Sequence, residues 1–407
     1  MKKKRLILVL TISIFTILLT VVGILVHDTF FYNKYDIPKE VKIEYTKEVN
    51  LFDNKLFQEL ITDKNVDILN KDEKINTDTI GRKKYTLEIK YNKKKYFYIM
   101  SVKVIDVTPP VFISAPSTVT TTVMNIAYPC DRAIYGDDYD GHPTCTTEGE
   151  YDIENPGAYH LNYVLADQSG NTTTRKVDLK VVEYGSKSTS NNNSNPTYIQ
   201  FSDVVSKYKN DNTMIGIDVS KWQGNIDFEK VKNAGCEFVI IRIGVQAGKD
   251  YEYKMDGNYK TYIQDAKKAG LKVGVYLYNT SLNYNDGVKA AKWVIDALDG
   301  EKLDYGVAYD WENYQYFMEY GVSLHTLSMG YQGFKNTLEK AGYEAHFYAS
   351  KFYLENFWMG IDEPVWLAHY ISETNYGGKY YMWQRTGSGK IDGINDNAVD
   401  IDIMYKQ

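Results

Sequence analysis

The pattern of apolar and polar positions changes its period several times along the chain. Leu6 to Val26 is an uncharged run of 21 residues behind the basic cluster Met1-Lys-Lys-Lys-Arg5. At about 1.5 Å per helical residue, such a run matches a bilayer core of roughly 30 Å. The run leads into His27-Asp-Thr-Phe-Phe31 rather than a small-residue cleavage site. The pattern predicts a cytoplasmic basic tip and an uncleaved transmembrane signal anchor over residues 1–27. A cleaved signal peptide is the alternative. The expected location is the cell membrane, single-pass, with an extracellular C-terminal domain and the lipid bilayer as a partner.

Residues 28–184 switch to short alternating runs, the period of strands with one buried face. A repeat lies within them. Gly81 to Ile89 leads through a polar turn to Val102-Lys-Val-Ile-Asp106, and Gly157 to Tyr163 leads through Ala166 to Asn171 into Leu179-Lys-Val-Val-Glu183. The copies lie about 77 residues apart, with Thr108-Pro-Pro110 at the seam. This predicts two β-sandwich modules, 28–107 and 108–184. The second resembles the Ig-like modules of bacterial surface proteins, on its G-x-Y-x-x-x-Y and D-x-S-G-N runs. Such modules act as spacers, with a surface or envelope protein as a possible partner. The acidic run Asp137-Asp-Tyr-Asp-Gly141 lacks EF-hand spacing and reads as a solvated loop. A Ser/Asn-rich stretch then predicts a flexible polar linker over 185–212 that lets the last domain reorient.

From 213 to 407 short apolar runs alternate with helical ones. Strands are expected at 215–219, 238–243, 273–278, 305–312, 344–348, 365–370 and 380–384. Helices are expected at 226–234, 257–269, 284–298 and 323–341. Buried strands alternating with helices predict a parallel α/β sheet. At about 194 residues the region is short for a full (β/α)8 barrel, so some helices near its end are expected to be reduced or missing. The fold class is therefore multidomain: transmembrane helix, two Ig-like β-sandwiches and a C-terminal flattened (β/α) barrel.

Composition narrows the function. A net charge of −6 argues against nucleic-acid binding. Cys130 and Cys145 are placed to close a loop in an oxidising compartment, while Cys236 lies alone in a core-like segment. Three scattered cysteines and six histidines without HExxH spacing indicate no metal site, and no cofactor is expected. The chemistry lies in acids at strand ends. Asp218 ends the first strand, Asp310 and Glu312 end the fourth on one face, and Asp400 lies on the last. Carboxylates crowded into a low-dielectric cleft do not all ionise, and one becomes a proton donor, as glycosidic cleavage requires. The 37 tyrosines and the tryptophans supply flat faces for sugar rings. Trp222, Tyr276, Tyr348, Tyr370 and Trp383 are the candidate substrate-binding residues, while Trp366 reads as core.

Residues 214–407 resemble a glycoside hydrolase family 25 lysozyme, an N-acetylmuramidase of the Chalaropsis type. The resemblance rests on Gly216-Ile-Asp-Val-Ser-Lys-Trp-Gln-Gly224, Phe238 to Arg242, Tyr309-Asp-Trp-Glu312, Tyr343 to Ser350, Trp366 to Tyr370, Trp383-Gln384 and Val399-Asp400. It implies a peptidoglycan hydrolase cleaving the β-1,4 bond between N-acetylmuramic acid and N-acetylglucosamine, with peptidoglycan glycan strands as partner. It further implies that Glu312 is the general acid, that Asp310 stabilises developing charge or orients the acetamido group, and that Asp218 and Asp400 complete an acidic floor. The chain departs from the family at Asp402, where Asn is common, and at Arg385, where Tyr is common. A non-catalytic glycan-binding surface protein is the alternative. The spacing leaves retaining and inverting chemistry both open.

Overall fold

The computed structural model describes residues 37–406, apart from 46–48, 54–56, 92, 126–127, 185–196, 247, 249, 251 and 396. Among these, no helix is long and apolar enough to cross a membrane. The expected transmembrane helix over 1–27 falls outside the described residues. The membrane-anchored architecture and the single-pass location are therefore corrected to a chain of β-rich parts and a barrel. The chain divides into two compact units between Val107 and Thr108.

In the first unit, Gly81–Tyr91 and Lys94–Ile105 form a long antiparallel hairpin, flanked by Glu40–Glu44 and Val66–Ile68. Glu40–Glu44 runs parallel to Lys94–Ile105. Alternate residues such as Leu87, Ile89, Met100 and Val102 are buried on one face, with Phe57 and Leu60 packed over them. In the second unit the strand plan recurs: Gly157–Ala166 and Thr172–Val182 form the hairpin, and Thr118–Thr122 runs parallel to its second strand. Thr144–Glu148 extends this sheet, and Val111–Ser114 with Ile134–Gly136 forms a small second layer. Cys130 and Cys145 are disulfide-bonded across 15 residues.

The rest of the second unit is a barrel. Its strands are β1 Thr213–Val219, β2 Phe238–Val245, β3 Lys272–Tyr278, β4 Val307–Asp310, β5 Ala345–Ser350, β6 Val365–Ala368, β7 Tyr380–Lys390 and β8 Val399–Tyr405. Strands β1 to β7 pair in parallel in chain order, and β8 closes the ring antiparallel to both β7 and β1. Helices α1 Phe201–Tyr208, α2 Phe228–Asn233, α3 Tyr259–Lys268, α4 Tyr284–Leu298 and α5 Leu324–Lys340 flank it, and a short α6 Lys351–Asn356 follows β5. Among the described residues, no helix stands between β6 and β7 or between β7 and β8. Outward residues of β1 (Ile215, Ile217, Val219) join the helix-side core, while inward ones from several strands (Phe238, Ile240, Ala308, Trp366, Met382, Met404) fill the lumen. Helices α4 and α5 pack backbone against backbone: a Cβ on Gly287 would lie 1.8 Å from the Gly330 carbonyl oxygen.

Three further expectations change. Ile199–Gln200 pairs with Gly389–Lys390, and α1 buries Phe201 and Val204 against the barrel, so the barrel begins inside the expected linker 185–212. Residues 185–196 of that linker lie outside the described ones. The second β module is docked on the barrel rather than free to turn, because Ile113 belongs to the barrel's own core cluster. The acidic run is not solvated: Asp137, Asp138 and Asp140 are buried. Asp137 Oδ1 accepts the backbone N–H groups of Tyr139 and Asp140, and its carbonyl accepts the N–H of Leu324 at the start of α5. Here Gly141 and Gly321 meet backbone to backbone. A Cβ on Gly141 would lie 2.6 Å from the Gly321 oxygen, and Gly321 itself has φ of 60° and faces His142.

Candidate active site

A turn ends β1 just beyond Asp218. Ser220 Oγ accepts the N–H of Trp222, and the Gln223 side chain accepts the N–H of Ser220, a capping box that fixes where the strand stops. Across the seam of the barrel, Asp400 on β8 pairs directly with Asp218. Like charges opposite each other on antiparallel strands destabilise a sheet, so this pairing is costly to the fold. Asp310 ends β4 and Glu312 follows two residues beyond, the two flanking Trp311, which is fully buried on the other side against Tyr314, Phe357 and Trp358. With Trp311 anchored outward, both acids reach the cavity.

Asp218, Asp310, Glu312 and Asp400 line one cavity of about 260 Å³ at the C-terminal end of the parallel strands. Tyr276, Tyr348 and Tyr370 line it too, as do Arg242, Tyr278, Trp366 and Gln384. Gln384 organises the floor. Its Oε1 accepts the hydroxyls of Tyr348 (2.8 Å) and Tyr370 (2.9 Å), which directs its Nε2 to donate to Asp218 Oδ2 at 2.8 Å. Arg242 is held by Asp256 through Nε at 3.0 Å and through its terminal nitrogen at 2.9 Å. A second hollow of about 400 Å³ shares Glu312, Tyr348 and Tyr370 and continues past Lys351, Phe352 and His369.

Every acid of the cavity is pushed toward its neutral form. Burial raises Asp218, and the charges of Asp400 and Asp402 add to it, with the Gln384 amide opposing. Burial and then the Glu312 charge raise Asp310, with Arg242 opposing. Desolvation by the surrounding rings raises Glu312 against the Tyr348 hydroxyl. Asp400 is raised to about 7 by burial and by Glu312. Glu312 keeps an exposed side chain, so it combines a raised pKa with access from outside.

Two of the expected sugar-binding residues lie outside this cavity. Trp222 is 67% exposed on the turn after β1 and does not line the cavity. Trp383 faces outward, donating to the His369 carbonyl and packing on Tyr208 of α1, because its neighbour Gln384 takes the inward position. Trp366, read as core, is buried yet forms part of the cavity wall, edge-on to Tyr348 and Tyr276. Sequence reasoning gave Arg242 and Gln384 no role in the site. Both carried a signal: a single Arg within Phe238-Val-Ile-Ile-Arg-Ile243, and a single Gln after Tyr381-Met-Trp383, are polar residues placed in otherwise buried strands.

Residues 217–394 match the model of a family described as glycosyl hydrolases family 25. Among curated relatives, an autolytic lysozyme of Clostridium acetobutylicum is 33% identical over 192 residues, which are 46% of this chain and 55% of that protein. The chain thus spans about half the length of this relative. Among solved structures, the modular autolysin LytC of Streptococcus pneumoniae, in complex with a synthetic peptidoglycan ligand, is similar at 24% identity with a TM-score of 0.44, covering 60% of this chain and 56% of that one. A family 25 glycosyl hydrolase from Bacillus anthracis is similar at 19% identity with a TM-score of 0.41, covering 49% of this chain and 91% of that one.

Proposed function

We propose that the barrel is a lysozyme of glycosyl hydrolase family 25, an N-acetylmuramidase that hydrolyses the β-1,4 bond between N-acetylmuramic acid and N-acetylglucosamine in peptidoglycan. The observation that carries this reading is the gathering of four acids from β1, β4 and β8 around one cavity, each displaced toward its protonated form. The family match over 217–394 supports the same reaction class.

Glu312 is the general acid. Its raised pKa favours the protonated form, and its exposure lets that proton reach the glycosidic oxygen as the C1–O bond breaks. Asp310, deeper and beside Arg242, stabilises developing charge or orients the acetamido group. Asp218 and Asp400 form the acidic floor against which positive charge at the anomeric carbon is favourable. Tyr276, Tyr348 and Tyr370 offer ring faces to the sugars. The second hollow beyond Glu312 gives a polymer room to continue past the bond that is cut. The docked β module over 108–184 is read as an Ig-like support for the barrel.

Incubating the full chain with purified peptidoglycan and following new reducing ends tests the reaction. Muropeptide products should end in reducing N-acetylmuramic acid. Glu312→Gln should lower the rate by roughly 10²–10⁴-fold. Wild-type turnover in that variant, or reducing N-acetylglucosamine as the product end, refutes the proposal.

A further inference from the structure

The hollow that continues past Glu312 does not end on the barrel. Helix α6 runs along it. Lys351 and Phe352 line that hollow, and Glu355 borders both it and a third hollow of about 290 Å³. Asn356 to Met359 form one wall of the third, and the β module supplies another through Val111, Phe112 and Asp138. Phe352 and Glu355 lie three apart on α6, share a face and are both exposed. The six residues of α6 cover about 9 Å. A path thus leads from the proton donor to the β module, wholly within the second unit.

We propose that this path binds the stem peptide carried by a muramic acid at the bond that is cut, and that the β module forms the far part of that binding site. The stem leaves the lactyl ether as a chain of about four residues, up to about 14 Å long when extended, which exceeds the length of α6. It presents a carboxylate early and the free amine of a diamino residue later. The protein presents charges in the matching order. Lys351 lines the hollow that holds Glu312, whereas the third hollow is lined by Glu355, Asp137 and Asp138 and, among the described residues, by no cation. Lys351 Nζ and Glu355 Oε2 pair at 3.1 Å where the two hollows meet, a surface pair of the kind that exchanges partners at little cost. Val111, Phe112, Leu324 and Met359 give the third hollow apolar walls, which suit the aliphatic arm of the diamino residue and the methyl groups of alanine. A bare glycan strand has no aliphatic arm and offers the acids no cation. Arrival of a muramic acid beside Glu312 follows from the lysozyme reading, on which this assignment rests; affinity for the peptide is separable from turnover.

Calorimetric titration of the full chain with N-acetyl-L-alanyl-γ-D-glutamyl-L-lysyl-D-alanine tests that affinity and needs no activity. The dissociation constant should be about 1 mM or lower. Val111→Arg sets a cation at the acidic hollow from a position that is 40% exposed, so the longer side chain leaves the fold intact. That variant, Glu355→Gln and acetylation of the peptide's lysine amine should each weaken binding by about 5-fold or more. No binding by about 10 mM, or undiminished binding in both variants, overturns the assignment. Turnover reads the same site. Glycan strands stripped of peptide by an amidase should be cut with kcat/KM about 10-fold or more below that of peptide-bearing strands, and Val111→Arg should narrow the gap by slowing only the latter. Equal cutting of both substrates by the wild type, or an unaltered ratio in Val111→Arg, overturns it as well. A wild-type protein inactive on both substrates would defeat the lysozyme reading and leave the titration to decide this one.

Discussion

Replacing Asp400 by Asn should make the barrel more stable, and only above mildly acidic pH. The carboxyl is partly buried and stands across the β1–β8 seam from Asp218. Burial and the Glu312 charge raise it to about 7 from an ordinary 3.8. A raised acid binds its proton more tightly in the folded chain. Its favourable contribution is therefore complete below about pH 4 and is lost as pH rises through about 7. At about 1.4 kcal/mol per unit, the loss reaches roughly 4 kcal/mol, a ceiling because its carboxyl neighbours readjust their own protons. Asparagine does not titrate. Thermal unfolding of variant and wild type should therefore coincide near pH 4 and separate by several degrees near pH 8. A gain of equal size at both pH values, or none near pH 8, would refute the reasoning, since either result means that Asp400 ionises freely in the folded protein.

Two other perturbations probe the scaffold. Gly287→Ala should destabilise the barrel by about 3 kcal/mol or more, seen as a lower denaturation midpoint, because its Cβ has no place beside the Gly330 backbone; an unchanged midpoint would mean that the two helices separate at little cost. Replacing both Cys130 and Cys145 by Ser opens a loop spanning 15 residues and should cost about 3 kcal/mol, read as earlier thermal unfolding of the second unit than in the oxidised parent; equal unfolding with and without reductant would show that the bond does not constrain the unfolded chain.

Much of the barrel was legible because its signals are local. Helix α4 begins at Asn283 and α5 at Ser323, each capping its own first turn, and both follow a 3.6-residue apolar period. Asp310 and Glu312 were readable as a pair because two residues along a strand return to the same face. Trp366 and Trp383 were not separable in that way. Register decides which of them looks inward, and the pairings of β7 with β6 and with β8 contain irregular steps that shift the alternation. Burial of Asp137, Asp138 and Asp140 was hidden for another reason: Asp137 meets the start of α5, 187 residues away in sequence, at Leu324. A helix in the expected linker was likewise set by distant partners, since Tyr208 of α1 rests on Trp383.

The bare-backbone meeting of Gly141 with Gly321 bears on how such a protein can be inherited. Gly141 cannot enlarge while the Gly321 backbone stays in place, and Gly321 is bound both by the His142 ring beside it and by its left-handed backbone. The β module and the barrel are consequently not interchangeable cassettes. A shuffled chain that imported a foreign module would need its own smooth spot facing His142's counterpart, or a barrel rebuilt there. Descendants that keep both parts should keep both glycines, and lineages that shed the module should be free to fill the vacated position.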